Sequence, residues 1–159
     1  MVSESVLALI DVLVVTASFP FYLYGAWYIL RVETVTWATL VHHLKFISVG
    51  LALTTVPVVV WMIPRLFPLD PFLGLHAFLG LQAYAFLAFA LTGIVRIFQV
   101  KYEHDLYHDP DPGIAISELH EKMGAWRFRL RVGVAGYVLL WLLAWVVGMA
   151  RYAIVFGPF

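Results

Sequence analysis

Residues 132–150 read VGVAGYVLLWLLAWVVGMA, a run of 19 residues without one charged side chain. A helix needs about 20 predominantly apolar residues to cross the hydrocarbon core of a bilayer. A helix on the surface of a soluble protein would instead carry polar residues along one face. This segment therefore predicts a membrane-spanning helix, and three more apolar segments extend that prediction along the chain.

The four segments predict an all-α, integral membrane four-helix bundle with up-down-up-down topology, formed as one transmembrane domain over residues 1–159. The helices are expected at about residues 5–30, 39–63, 71–100 and 117–154, with a polar loop at 101–116. Pro57 predicts a kink in the second helix. Asp70 and Pro71 are favourable residues for the start of the third.

Composition excludes several classes of protein. Only 13% of the 159 residues are charged, against about 25% in typical soluble domains, and the mean hydropathy is +0.90. The zero net charge argues against nucleic acid as a partner. With no cysteine, the chain cannot form thiolate metal sites or attach a c-type haem. A redox cofactor would need histidine, methionine or carboxylate ligands.

Basic residues predict the orientation. The side with the first and third connections has eight, and the opposite side has only Arg65 and Arg151. Because cytoplasmic loops are rich in lysine and arginine, we place the first side in the cytoplasm and both termini outside the plasma membrane. The eight residues are Arg31, Lys45, Arg96, Lys101, Lys122, Arg127, Arg129 and Arg131.

Histidines near helix ends are candidate ligands, because ionisable residues in membranes are costly. His76 and His120 share the pattern Leu-His-x-x-x-Gly. On a helix, a glycine four residues later lies on the same face, where a flat macrocycle could approach the backbone. The alternative is that these glycines serve helix packing. The glycines concerned are Gly80, Gly124 and, seven residues after His43, Gly50.

Three segments, His42–Trp61, Leu75–Phe98 and Leu119–Trp145, resemble the histidine-bearing helices of b-type transmembrane cytochromes of the ascorbate-reducible, ferric-reductase class. They also look like the small four-helix membrane proteins that assist assembly of haem–copper oxidases. The resemblance covers about two thirds of the chain.

The resemblance implies a b-type haem between the second and fourth helices, held by His43 (or His42) and His120. His43 lies three residues before its apolar stretch and His120 twelve before its own, a height difference of about 13 Å at the helical rise per residue. Arg127 and Arg131 share the helical face of His120 and could pair with haem propionates.

His76 is expected on the opposite membrane face, about 30 Å from the other histidines, and cannot share their iron. A second site using Met62 or Met149 as the other ligand is less favoured. Gln82, in the third helix, could line a quinone site or make interhelical hydrogen bonds.

Two further hypotheses concern polar residues. His104 and His108 would share a face if the third helix continued, and could then bind a metal ion, although a solvated acidic loop is favoured. Asp11, inside the first helix, should be neutral or paired. Arg151 is the expected structural partner and Arg65 the alternative.

Three functions fit these features. The first is electron transfer through haem, between a membrane quinol and a partner protein. The second is a non-enzymatic accessory or assembly subunit of a respiratory haem–copper oxidase. The third is a structural membrane subunit without cofactor. A respiratory complex or a second copy of the chain would be the protein partner, besides the lipid bilayer.

Overall fold

The computed structural model describes residues 3–67, 70–111 and 114–157, and this part of the chain is helical with no strand. The four long helices are α1 (Glu4–Leu30), α2 (Trp37–Pro57), α3 (Pro71–Glu103) and α4 (Met123–Phe156). Each is long and apolar enough to cross a membrane, α2 together with the turns that continue it to Arg65. The prediction of an all-α, multi-pass membrane protein with four helices is confirmed.

The starts of α1 and α2 carry side-chain caps. The hydroxyl of Ser3 accepts from the backbone N–H of Val6 at 3.4 Å, and that of Thr36 accepts from Thr39 at 3.3 Å. The first N–H groups of a helix have no partner within it, so these hydroxyls supply the missing acceptors.

The chain forms two compact units. The first contains α1 and α2 up to Asp70, with the chain end from Tyr152, and the second is Pro71–Arg151. In the first unit α1 and α2 run antiparallel. The contacts that establish this are Gly25 with Ile47, Tyr22 with Thr54, and Glu4 with Arg65.

After Pro57 the hydrogen-bonding pattern of the second span changes, whereas the kink expected there stays a prediction. Proline has no N–H to donate to the carbonyl four residues earlier, so the regular ladder is interrupted there. The chain continues as a π turn at Val58–Met62 and a 3₁₀ turn at Ile63–Arg65. This irregular segment completes the second span.

In the second unit α3 and α4 pack along a seam of small residues. A Cβ atom on Gly133 would lie 2.6 Å from the backbone nitrogen of Ala90, and one on Gly93 would lie 3.2 Å from the nitrogen of Leu130. The backbones therefore approach too closely for larger side chains, as is common between membrane helices. The seam continues where Gly136 meets Phe86 and Gly148 meets His76, so the helices are antiparallel.

The third helix ends through a backbone motif rather than at a glycine. The N–H of Leu106 donates to the carbonyl of Lys101 and that of Asp105 to Tyr102, both at 3.0 Å. These are the two bonds of a Schellman motif, and Asp105 takes the left-handed position with φ 54°. The helix extends to Glu103, slightly beyond its predicted end near residue 100.

The fourth helix begins later than predicted. The expected start at residue 117 is wrong, because Ile116–Glu118 is only a 3₁₀ turn and α4 begins at Met123. His120 lies at the boundary, where its carbonyl accepts from the N–H of Met123 at 3.0 Å.

The close packing of α3 against α4 predicts that a valine substitution destabilises the protein at one glycine and not at another. Gly133→Val places a branched side chain against the Ala90 backbone, and overpacking of this kind costs about 1–3 kcal/mol. Gly80→Val is the matched control, because a Cβ there meets nothing within 4 Å. We expect the thermal unfolding midpoint in detergent to fall for Gly133→Val and to change little for Gly80→Val. Equal midpoints for the two variants would contradict the seam.

Candidate functional site

His43, in the first half of α2, makes the hydrogen bond that defines the candidate site. Its Nδ1 lies 2.8 Å from the carbonyl oxygen of Gly25 on α1. A carbonyl can only accept, so Nδ1 carries the proton and Nε2 of the neutral ring keeps a lone pair. Histidines that ligate metals through one nitrogen usually donate from the other to a carbonyl or carboxylate. His43 therefore has the hydrogen bonding of a metal ligand.

The sequence makes this bond possible through Gly25. A Cβ at that position would lie 3.0 Å from Cδ1 of Ile47 and 3.3 Å from Cβ of Phe46. The missing side chain lets α2 approach the α1 backbone, so the imidazole reaches a main-chain carbonyl. Because Gly25 lies 18 residues before His43 on another helix, the histidine pattern itself gave no sign of this partner.

His42, the alternative ligand, lies in an aromatic cluster. Its ring centroid is 4.2 Å from that of Tyr28 and 5.1 Å from that of Phe46. Its Nε2 lies 3.4 Å from the hydroxyl of Tyr24. This histidine packs between the ends of α1 and α2, so of the two neighbours His43 has the better ligand geometry.

Gly50 does not leave open space above the backbone. A Cβ there would lie 2.9 Å from Cε1 of Tyr22, whose hydroxyl is 3.0 Å from Oγ1 of Thr54. Tyr22 fills the volume that the sequence assigned to a macrocycle, so the interpretation of Gly50 needs correction. Here the glycine serves the packing of α1 against α2.

His120 precedes α4 instead of lying within it. Its Nδ1 accepts the backbone N–H of Lys122 at 3.0 Å, so the neutral ring carries its proton on Nε2. The prediction that His120 and Gly124 share a helical face is wrong, because only Gly124 is in the helix. The ring packs against Trp126, with 4.5 Å between centroids. A Cβ on Gly124 or on Gly80 would have nothing within 4 Å.

His76 faces α4 within the second unit. A Cβ on Gly148 would lie 2.6 Å from Cε1 and 2.7 Å from Nδ1 of the ring. The backbone of Ala144 lies beside the imidazole, yet Nδ1 is buried without a hydrogen bond of standard geometry. The glycine that accommodates this ring is therefore Gly148 on the neighbouring helix, and not Gly80 on its own.

His104 and His108 lie in the turn after α3, so they do not share a helix face. The Nδ1 of His104 donates to the carbonyl of Val100 at 2.9 Å, and that of His108 lies 2.8 Å from Oδ1 of Asp105. Both rings stabilise the end of the helix. Across residues 3–67, 70–111 and 114–157, no cluster of three or more histidine or carboxylate groups is placed to hold a metal ion.

Of the predicted pairings of charged residues, one is wrong and two stay predictions. Arg65, the alternative partner of Asp11, instead pairs with Glu4, with 3.3 Å between Nε and Oε2, so that alternative is wrong. Asp11 and Arg151 belong to different units, and their ion pair stays a prediction. Arg127 is half-buried in the second turn of α4, and its pairing with a propionate also stays a prediction.

Two buried residues directly after α3 were not predicted from the sequence. Leu106 and Tyr107 are buried there, the Tyr107 ring lies 5.4 Å from that of Phe98, and the Nζ of Lys101 lies 4.5 Å from the centre of the Tyr107 ring. Burial raises the pKa of Tyr107 above its usual value. The available signal was a pair of apolar residues, Leu106 and Tyr107, inside an otherwise polar segment.

Comparison with known proteins gives one match. A family model described as "Domain of unknown function (DUF7321)" matches residues 4–157, almost the whole chain. No curated protein and no solved structure matches it.

The raised pKa of Tyr107 predicts that the folded protein loses stability at alkaline pH. Its folded pKa is raised above the unfolded value of about 10, so its contribution is complete below that pH and is lost as pH rises through the folded pKa. We compare the unfolding temperature of Tyr107→Phe with that of the wild type at two pH values. Above about pH 10 the difference should shift in favour of the variant, compared with the difference at neutral pH. Thermal unfolding followed by circular dichroism at both pH values measures this difference. Tyr102→Phe, at an exposed tyrosine, is the control, and a pH-independent difference for Tyr107→Phe would contradict the prediction.

Proposed function

Since the chain belongs to the family described as "Domain of unknown function (DUF7321)", we propose its function from its own residues: it is a membrane electron-transfer protein that binds a b-type haem through His43. The observation that carries the proposal is the hydrogen bond from Nδ1 of His43 to Gly25. That bond orients the ring and leaves Nε2 as the nitrogen for iron.

The residues around His43 suit a ligand that must be held in one orientation. The side chain is half-buried on α2, and the carbonyl that accepts its hydrogen bond belongs to Gly25, which is buried. The bond is short, at 2.8 Å, and fixes the rotation of the ring. The donor is therefore fixed before any cofactor arrives, which lowers the ordering cost of ligation.

His120 is the proposed second ligand. Its present hydrogen bond to Lys122 must break before its ring can bind iron. Nδ1 accepts from Lys122, so Nε2 carries the proton of the neutral ring. Ligation through Nε2 requires the proton to move to Nδ1 and the bond to the Lys122 N–H to break. Formation of a bis-histidine site would therefore open the turn that precedes α4. A bound haem would supply one-electron oxidation and reduction.

The proposed orientation, electron donor and partner follow from the charge and composition of the chain. Eight basic residues on the side of the long loop favour the cytoplasm for that side, with both termini outside the plasma membrane. A membrane quinol is the proposed electron donor, and a respiratory complex or a second copy of the chain is the proposed partner. Gln82, half-buried in α3, is the residue we would assign to a quinone.

Haem binding should depend on His43. The full-length chain, reconstituted with haemin, should show b-type Soret and α bands on reduction, and His43→Ala should lose most of that absorbance because the iron loses its oriented ligand. His104→Ala is a matched control, since that ring also donates from Nδ1 to a backbone carbonyl but lies in an exposed turn. Unchanged absorbance in folded His43→Ala, or equal losses in both variants, would overturn the assignment.

A second candidate function is favoured by the hydrogen bond that His120 accepts from the N–H of Lys122. If this bond is kept, His43 is the one of the two histidines with a nitrogen available for iron, and haem held by one histidine dissociates more readily than haem held by two. Weak, reversible binding suits an accessory or assembly subunit of a haem–copper oxidase. A structural subunit without cofactor is the remaining alternative, and would show no specific haem binding.

Substitution of His120 separates these functions. His120→Asn retains a side chain able to accept the N–H of Lys122, because asparagine side chains commonly accept from the backbone two residues later. Electron paramagnetic resonance of the ferric protein should change from low-spin to high-spin if His120 ligates the iron. An unchanged spectrum, with haem retained at substoichiometric levels, would contradict bis-histidine ligation and support the accessory role.

A further inference from the structure

Two arginines lie beside the seam of α3 and α4, at its end towards the long loop. A Cβ on Gly93 would lie 3.2 Å from the Cβ of Arg129, so the two helices touch at that point. Arg96 follows Gly93 by three residues, about one helical turn. Both arginines are exposed, one on each helix. The close approach at Gly93 therefore brings the backbone segments that carry the two arginines to one region of the surface.

Neither arginine is in an ion pair with a carboxylate within the described part of the chain. Arg96 donates from Nη1 to the neutral amide oxygen of Gln99 at 3.2 Å. The first turn of α4 has no acidic residue, although a helix start favours negative charge. Among the described residues, the two guanidinium groups therefore keep their positive charge without a direct carboxylate contact.

The depth of the pair corresponds to lipid headgroups. The uncharged run of α4 starts at Val132, and Arg129 lies three residues before it, about 4.5 Å further out. The headgroup layer occupies about 5–8 Å on each side of the hydrocarbon core. The neighbouring Phe128 is 62% exposed, as expected of a side chain that contacts lipid.

We propose that Arg96 and Arg129 together bind the phosphate of an anionic phospholipid in the leaflet on the side of the long loop. Guanidinium groups bind phosphate oxygens through paired N–H donors, and two of them from different helices match one phosphodiester. The bound lipid stabilises the contact of α3 with α4 at Gly93. This site is independent of haem binding at His43.

The test uses the full-length chain in phosphatidylcholine nanodiscs that contain a minor fraction of phosphatidylglycerol. Native mass spectrometry after release into mild detergent counts the phosphatidylglycerol that stays bound. Arg96→Gln and Arg129→Gln should each reduce retention about fivefold, as expected for one basic residue near an anionic surface. Arg131→Gln is the matched control, with the same charge change on the same helix, about 200° around its axis from Arg129.

Retention by Arg131→Gln with losses in the other two variants supports the site. Equal losses in all three would show only general attraction of anionic lipid, and would overturn it. Undiminished retention in Arg96→Gln and Arg129→Gln would also overturn it. In a parallel sample of the same phosphatidylcholine and phosphatidylglycerol nanodiscs with added inorganic phosphate, a retained phosphate adduct that displaces phosphatidylglycerol would identify a soluble anion as the ligand and contradict the lipid assignment.

Discussion

The hydrogen bond between His43 and Gly25 is the interaction on which the functional account depends. Polar groups removed from water are usually hydrogen-bonded, and the half-buried ring of His43 finds its partner within the protein. That partner is a main-chain carbonyl of α1, reached because Gly25 has no side chain. One contact therefore joins two helices, fixes a tautomer and determines which nitrogen is left for the proposed iron.

Glycines carry much of the remaining packing. Gly93 and Gly133 let the backbones of α3 and α4 meet, and Gly148 accommodates the imidazole of His76. These are contacts between helices, whereas the histidine patterns in the sequence pointed to glycines on the same helix. At Gly80 and Gly124 an added Cβ would meet no atom within 4 Å. Spacing along one helix could not distinguish the two roles.

The spans were predictable, because apolar length is a property of each segment alone. The ends of the helices were harder to predict. The third helix stops where Asp105 adopts a left-handed conformation without glycine, and the fourth starts only after a turn in which His120 accepts the N–H of Lys122. Both depend on local backbone geometry that several residue types can adopt. The buried Lys101 under Tyr107 was missed for a related reason, since a charged residue gives no sign of burial.

The two proposed sites differ in chemistry. In the first unit an oriented imidazole is the proposed ligand of iron, and in the second two guanidinium groups are the proposed ligands of a phosphate. His120 has two roles to reconcile, because its ring accepts the N–H of Lys122 just before α4 and is also the proposed second ligand of iron. Ligation of iron by His120 would indicate a permanent haem protein, and retention of its bond to Lys122 would indicate a transient haem carrier.

The most direct test is the protonation state of His43 before any haem is added. Long-range ¹H–¹⁵N correlation spectra of histidine-labelled protein in nanodiscs, assigned by comparison with His43→Gln, distinguish the two neutral tautomers. The account predicts that His43 carries its proton on Nδ1, with Nε2 unprotonated. A proton on Nε2 would contradict the bond to Gly25 and remove the basis for His43 as the ligand.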